Sequence, residues 1–298
     1  MPLISANTIE VACETFGRPD DPGLVLIMGL GEQMVAWPAE FCRMLSDKGF
    51  FVIRFDNRDT GLSTKFDSRG IPDLMGAWDA YFKAAPITAP YTLQDMAADV
   101  NGLLESMNIG RSYVCGFSLG GTIAQNMAFA FPERMAGMIC IGSSTGGRTL
   151  PPPKPEAQKA MATPSPESRE GFVGHTVSVC RSFSGGSALY DARCRSEIAA
   201  LAYDRCFYPQ GFVRQSVAML ADGSRTERLK NVRLPTLVLQ GELDPLAQPE
   251  HGRAIAEAVP GAEFAILNDW GHGLDYPELW PSVIQHIVNF RKSHPMEK

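Results

Sequence analysis

Gly116-Phe117-Ser118-Leu119-Gly120 is the segment that most narrows what this chain can fold into. It fits G-x-S-x-G, and its flanks carry more information than the match. Ser112-Tyr113-Val114-Cys115 precedes it as a short apolar run that predicts a buried strand. Gly121 to Ala130 follows with a helical pattern. A strand, a tight turn and a helix in that order form a nucleophile elbow, which lifts the serine hydroxyl clear of the backbone. Gly116 and Gly120 remove side chains that would collide across the turn. The helix N-terminus aims amide N–H groups at the same point, where they can stabilise a developing oxyanion. The competing reading is a glycine-rich turn that happens to contain a serine.

The surrounding chain predicts the sheet that such an elbow needs. Leu24–Met28, Phe51–Phe55, Met138–Ile141, Thr236–Gln240 and Ala262–Ile266 are short apolar runs. Helical patterns lie between and after them, around 38–48, from Thr92 onward, 250–259 and 280–292. Thr92 supplies an N-cap, and Asp95 a carboxylate in the first turn. Continuous apolar strands alternating with helices predict a mostly parallel sheet covered on both faces. The stretch near Thr8 to Glu14 is expected to add antiparallel strands at its edge. Two stretches break the alternation. One covers 66–90, with Trp78, Tyr81 and Phe82 between prolines. The other, 146–228, opens on Pro151-Pro152-Pro153-Lys154-Pro155 and continues with helical spacing and no strand. It is expected to form a helical cap inserted into a core of 1–145 and 229–298. Its proline-rich start is either a hinge or a stiff linker.

Bulk properties exclude several classes. A net charge of −6, with no basic run, argues against a nucleic-acid surface. The longest apolar run, Leu24 to Leu30, is too short to span a bilayer. No secretory signal is read at the N-terminus. The 7 cysteines are scattered, form no C-x-x-C and have no zinc spacing. That pattern suits a reducing cytoplasm, and no metal or cofactor is expected.

A nucleophilic serine needs a base, and the base needs an orienting acid. His272 lies in Trp270-Gly271-His272-Gly273, just beyond the last predicted strand, at the sheet edge that carries Ser118. Among the other histidines, His251 is expected at the surface, His286 inside the last helix, His294 in the tail and His175 in the cap. For the acid, Asp244 follows the strand ending at Gln240, and Pro245 stiffens the chain beyond it. Glu242 is its nearest rival, and Asp269 reads as a turn residue. Gly142 to Gly147 contains no carboxylate, which closes the other acid position. The second oxyanion donor is expected from Met28-Gly29-Leu30-Gly31, so the Leu30 and Leu119 N–H groups are the named pair, with Gly29 allowing close approach. Asp56-Asn57-Arg58-Asp59-Thr60-Gly61-Leu62-Ser63 is read as structural. Asp56 and Arg58 are expected to pair with each other or with backbone; the alternative is that Asp59 or Arg58 lines the pocket.

These segments resemble the α/β-hydrolase superfamily over essentially the whole chain. With Trp37, Phe55–Ser63 and Tyr91–Asp99, they resemble more narrowly the bacterial esterases related to aclacinomycin methylesterase and to mycobacterial lipases of the same subgroup. The resemblance implies the order Ser118, Asp244, His272 for a catalytic triad, and oxyanion backbone at Leu30 and Leu119. One departure is Met28, where many relatives have histidine; another is the cap, which does not match. The function expected is hydrolysis of small to medium carboxylic esters through an acyl-enzyme. Methyl ester, thioester or lactone hydrolysis by the same triad, and a ligand-binding or receptor protein on a hydrolase scaffold, are the alternatives. Ser118 argues against dehalogenase and epoxide hydrolase chemistry, which uses a carboxylate at the elbow.

Overall fold

A computed structural model describes residues 2–296. Eight strands form one sheet: β1 (Leu3–Ala6), β2 (Ile9–Phe16), β3 (Gly23–Ile27), β4 (Phe51–Phe55), β5 (Ser112–Phe117), β6 (Met135–Ile141), β7 (Thr236–Gly241) and β8 (Glu263–Leu267). Their order is β1-β2-β4-β3-β5-β6-β7-β8. β1 and β2 pair antiparallel, and β2 runs antiparallel to β4. All remaining pairs are parallel. The edge hairpin and the parallel core are thus as the apolar runs predict. This is the α/β-hydrolase fold.

Eleven α-helices lie among the described residues, beside four short 3-10 turns: α1 (Ala39–Ser46), α2 (Leu74–Phe82), α3 (Leu93–Ser106), α4 (Leu119–Ala130), α5 (Pro155–Met161), α6 (Arg169–Phe183), α7 (Ala192–Arg205), α8 (Gln210–Asp222), α9 (Thr226–Leu229), α10 (Pro249–Ala258) and α11 (Trp280–Ser293). The period-two geometry of a strand divides the core between two faces. Val25, Ile27, Val114, Cys140 and Val238 pack with apolar residues of α3, α4 and α10. Their neighbours Leu24, Leu26, Cys115, Ile139 and Leu239 pack on the opposite face with α1 and α11. α3 starts with a capping box, in which Thr92 and Asp95 satisfy each other's backbone N–H. None of the described helices is long and apolar enough to cross a membrane.

The stretch 66–90, which lacks a clear period, contains one short α-helix and a 3-10 turn at Asp67–Arg69. α2 is capped by the Asp73 carboxylate accepting the Gly76 N–H at 2.9 Å. It packs Ala77 against Val217 and Leu220 of α8. The longer stretch after β6 holds α5 to α8. Its two ends are stitched together at the sheet, where the Arg225 N–H donates to Thr145 O at 2.7 Å.

The parallel register aligns the C-terminal ends of the central strands: Ile27 with Gly116, Phe117 with Ile141, and Ile141 with Leu239. The loops leaving β3, β5, β6, β7 and β8 therefore emerge along one edge. The turn after β5 is the tightest point there. A Cβ on Gly116 would sit 2.1 Å from both C and O of Gly120, and one on Gly120 would sit 2.1 Å from Ile27 O. Backbone cannot give way at such distances. Gly116→Ala is therefore expected to lower Tm by about 5 °C or more, or to prevent soluble expression. Gly110→Ala, which has open space around its Cβ, should change Tm by no more than about 1 °C in the same thermal melts.

Candidate active site

Ser118 is the turn residue between β5 and α4, with φ 53° and ψ −116°. A non-glycine residue is strained there. Its N–H donates to Ile141 O at 2.9 Å, and its carbonyl accepts the Ser143 hydroxyl at 2.8 Å. These bonds to the end of β6 and the loop after it hold the unusual backbone in place. The side chain is left pointing away from the sheet edge, toward the loops of β7 and β8.

His272 reaches Ser118 from the loop after β8. Its Nε2 lies 3.1 Å from Ser118 Oγ, and its Nδ1 lies 2.7 Å from Asp244 Oδ2. A carboxylate can only accept, so the proton between them belongs to Nδ1 and the Nε2 lone pair faces the hydroxyl. Asp244 is itself fixed. Its Oδ1 accepts the Leu246 and Ala247 N–H groups, each at 2.8 Å, and its Oδ2 accepts Gln240 Nε2 at 3.2 Å. The carboxylate is 2% exposed, so these donors replace the water it has lost. The imidazole is walled by Phe117 and Phe183, at ring-centroid distances of 4.8 and 6.3 Å. The His272 N–H donates to Phe183 O at 2.8 Å, which ties the loop to the end of α6.

Gly29 brings the β3 loop alongside. A Cβ there would lie 3.3 Å from Ser118 Cβ, so the Leu30 backbone passes beside the serine. Leu119 opens α4, and its N–H has no intrahelical acceptor. The structure therefore brings together Ser118, Asp244, His272, Gly29, Leu30, Leu119, Gly116 and Gly120.

Other expectations are corrected. Asp56 and Arg58 do not pair with each other, but the backbone contacts expected as the alternative are present: Asp56 accepts the Leu62 N–H at 2.9 Å and Arg58 donates to Asp95 O at 3.3 Å. Arg58 forks onto Asp99 of α3 at 2.7 and 2.8 Å, and Asp56 accepts Arg205 of α7 at 2.9 Å and the Met34 N–H at 2.7 Å. Asp59 is gripped by Arg214 of α8 at 2.8 and 3.0 Å. Buried carboxylates need partners held at this range, and the partners come from remote positions. His251 is not a free surface residue: it is half-buried, with Nδ1 2.8 Å from Ser144 Oγ and Nε2 2.9 Å from Pro151 O. Glu242 accepts the Asp269 N–H at 3.3 Å and takes no part in the histidine contact.

The arginines and Gln215 of α7 and α8 escaped the sequence reading. The available signal was the excess of carboxylates in the polar loop after β4 without local partners, which demanded cations from elsewhere.

With this geometry in view, the sequence matches the serine aminopeptidase S33 family (Hydrolase_4) over residues 20–275. The chain is an α/β hydrolase of that family. It is similar to rhodomycin D methylesterase DnrP of Streptomyces peucetius, with 28% identity over 293 residues that cover 91% of this chain and 92% of the relative. It is also similar to 3-oxoadipate enol-lactonase 2 of Acinetobacter baylyi, with 23% identity, 89% of this chain and 87% of the relative. The fold is shared with the crystallised enol-lactonase from Burkholderia xenovorans at a TM-score of 0.71, 23% identity, and coverage of 98% and 100%. Within this S33-family hydrolase, Asp275 sits three residues beyond His272. Burial pushes its carboxyl up to about 6, while the guanidinium of Arg195, 3.8 Å away, opposes the shift.

The folded protein thus holds the Asp275 proton more tightly than the unfolded chain does. The stability this contributes is fully present below the ordinary carboxylate pKa and is lost as pH rises through about 6. The Tm of wild type relative to Asp275→Asn should accordingly fall between pH 4 and pH 7. A difference that stays flat across that range contradicts the assignment.

Proposed function

We propose that the protein is a serine carboxylesterase that cleaves small to medium esters through an acyl-enzyme. The observation that carries this is the unbroken chain from Asp244 through His272 to Ser118, at 2.7 and 3.1 Å, above the strained elbow. Ser118 Oγ attacks the ester carbonyl carbon while His272 Nε2 takes its proton. Asp244 holds the Nδ1–H tautomer and stabilises the imidazolium. The Leu30 and Leu119 amides receive the charge that develops on the carbonyl oxygen. His272 returns its proton to the departing alkoxide, leaving an acyl group on Ser118. Water, deprotonated by the same imidazole, then attacks that ester, and Ser118 recovers its proton.

The methylesterase relative supports an ester, since it aligns over nine-tenths of both chains. Residues 146–228 act as a cap over a core of 1–145 and 229–298. Two phenylalanines of that segment favour an apolar acyl group: Phe183 meets His272 edge to face, and Phe212 lies against Gly31. Apolar walls with few polar groups suit small-molecule sites.

The test is hydrolysis of p-nitrophenyl esters with acyl chains of two to sixteen carbons. Turnover should fall as the chain lengthens. Ser118→Ala, and separately Asp244→Asn, should lower kcat by roughly 10⁴-fold or more with little change in KM. Full activity in Ser118→Ala would end this reading.

A further inference from the structure

The loop that follows β3 is held from the helices after β6. Gly31 donates its N–H to Gln215 Oε1 of α8 at 2.8 Å. The next residue, Glu32, is paired with Arg195 of α7. The one after it, Gln33, accepts from Arg205 and donates to Ala202 O and Cys206 O, each at 2.7 Å. Three consecutive residues are thus gripped by side chains or carbonyls more than 160 positions away.

Gln215 is the closest of these to the chemistry. Its side chain is fully buried. Nε2 lies 2.8 Å from Arg58 O and 2.8 Å from Thr60 Oγ1. A backbone carbonyl only accepts, so the nitrogen must face Arg58, and both amide hydrogens are used. Oε1 is then left for a single donor, the Gly31 N–H. The carboxamide cannot flip without stranding a buried donor and a buried acceptor. Gly31 has φ +70°, with Phe212 of the same helix packed over it.

Resting on the esterase reading above, we propose that Gln215 is a positioning residue for acyl transfer. By holding the Gly31 N–H it sets the angle of the Gly29–Gly31 backbone and aims the Leu30 N–H at the carbonyl oxygen beside Ser118. The segment after β6 is then part of the oxyanion site and not only a cover over it. A donor aimed at the transition-state oxygen acts on kcat, because that oxygen carries its charge only in the transition state.

The experiment compares Gln215→Leu and Thr60→Val with wild type on p-nitrophenyl acetate and against a methyl trifluoromethyl ketone, which forms a tetrahedral adduct at the serine. Gln215→Leu should lower kcat about 10- to 100-fold with KM within about threefold. It should weaken the ketone by the same factor as kcat/KM. Thr60→Val, which removes one anchor of the amide while preserving side-chain shape, should move both quantities in the same direction by less. Should Gln215→Leu fail to fold, Thr60→Val decides alone. Unchanged kcat and ketone affinity in a folded variant, or a raised KM at constant kcat, overturns the proposal. Loss of activity in Ser118→Ala beside an unaffected Gln215→Leu overturns only this inference; full activity in Ser118→Ala overturns the esterase reading beneath it.

Discussion

Ser118 occupies a backbone conformation that costs on the order of 1–3 kcal/mol for a residue with a Cβ, and the surrounding architecture is arranged so that it can occupy no other. The chain must turn from β5 into α4 without a loop. That is feasible only because Gly116 and Gly120 let backbone touch backbone. The helix is then driven down by burial of Ile123, Ala124 and Met127, whose removal from water offsets the strain. The same descent puts the start of α4 against the end of β3, which brings Gly29 beside the serine. Elbow, β3 loop and strand register are consequences of one close contact.

A second constraint comes from charge. Asp56 and Asp59 leave β4 into the protein interior, and each is paired with an arginine of the segment after β6. A buried carboxylate that loses its only cation is penalised by several kcal/mol. Lifting that segment as a rigid body would expose both carboxylates and part Arg205 from Asp56 and Arg214 from Asp59 at once. It would also break the His272 N–H to Phe183 bond. The helices over the site are therefore fastened at both ends of the Ser118–His272 pair, on the serine side through the β3 loop and on the histidine side through Phe183. Substrate access by small local movements fits these bonds better than wholesale opening.

Much of this was legible in the sequence because it is written locally. Apolar runs of five or six residues specify buried parallel strands. A serine between two glycines, flanked by strand and helix, specifies the elbow. Asp244 and His272 could be placed because each lies just past a strand, at the edge that topology fixes. The polar loop from Asp56 to Ser63 was not legible in the same way. Its side chains choose partners such as Asp99, Arg205 and Arg214, up to 155 positions distant, and no spacing in the chain encodes those choices. Residues 146–228 showed helical composition but no clue to their docking. Gln215 is an unremarked glutamine until the Gly31 N–H is found against it. His251 likewise reads as an exposed helix start, yet both ring nitrogens are engaged.

The structure also presents a second serine–histidine contact. His251 Nδ1 lies 2.8 Å from Ser144 Oγ, and its Nε2 can only donate to the Pro151 carbonyl at 2.9 Å. That pair lacks a carboxylate orienter and an elbow, so it offers no activated nucleophile. Covalent labelling with a fluorophosphonate, followed by peptide mapping, separates the two most directly. The expected result is one adduct per chain, on Ser118, with loss of ester hydrolysis in step with labelling. An adduct on Ser144, or a folded protein that takes up no label, would contradict the assignment of Ser118 as nucleophile.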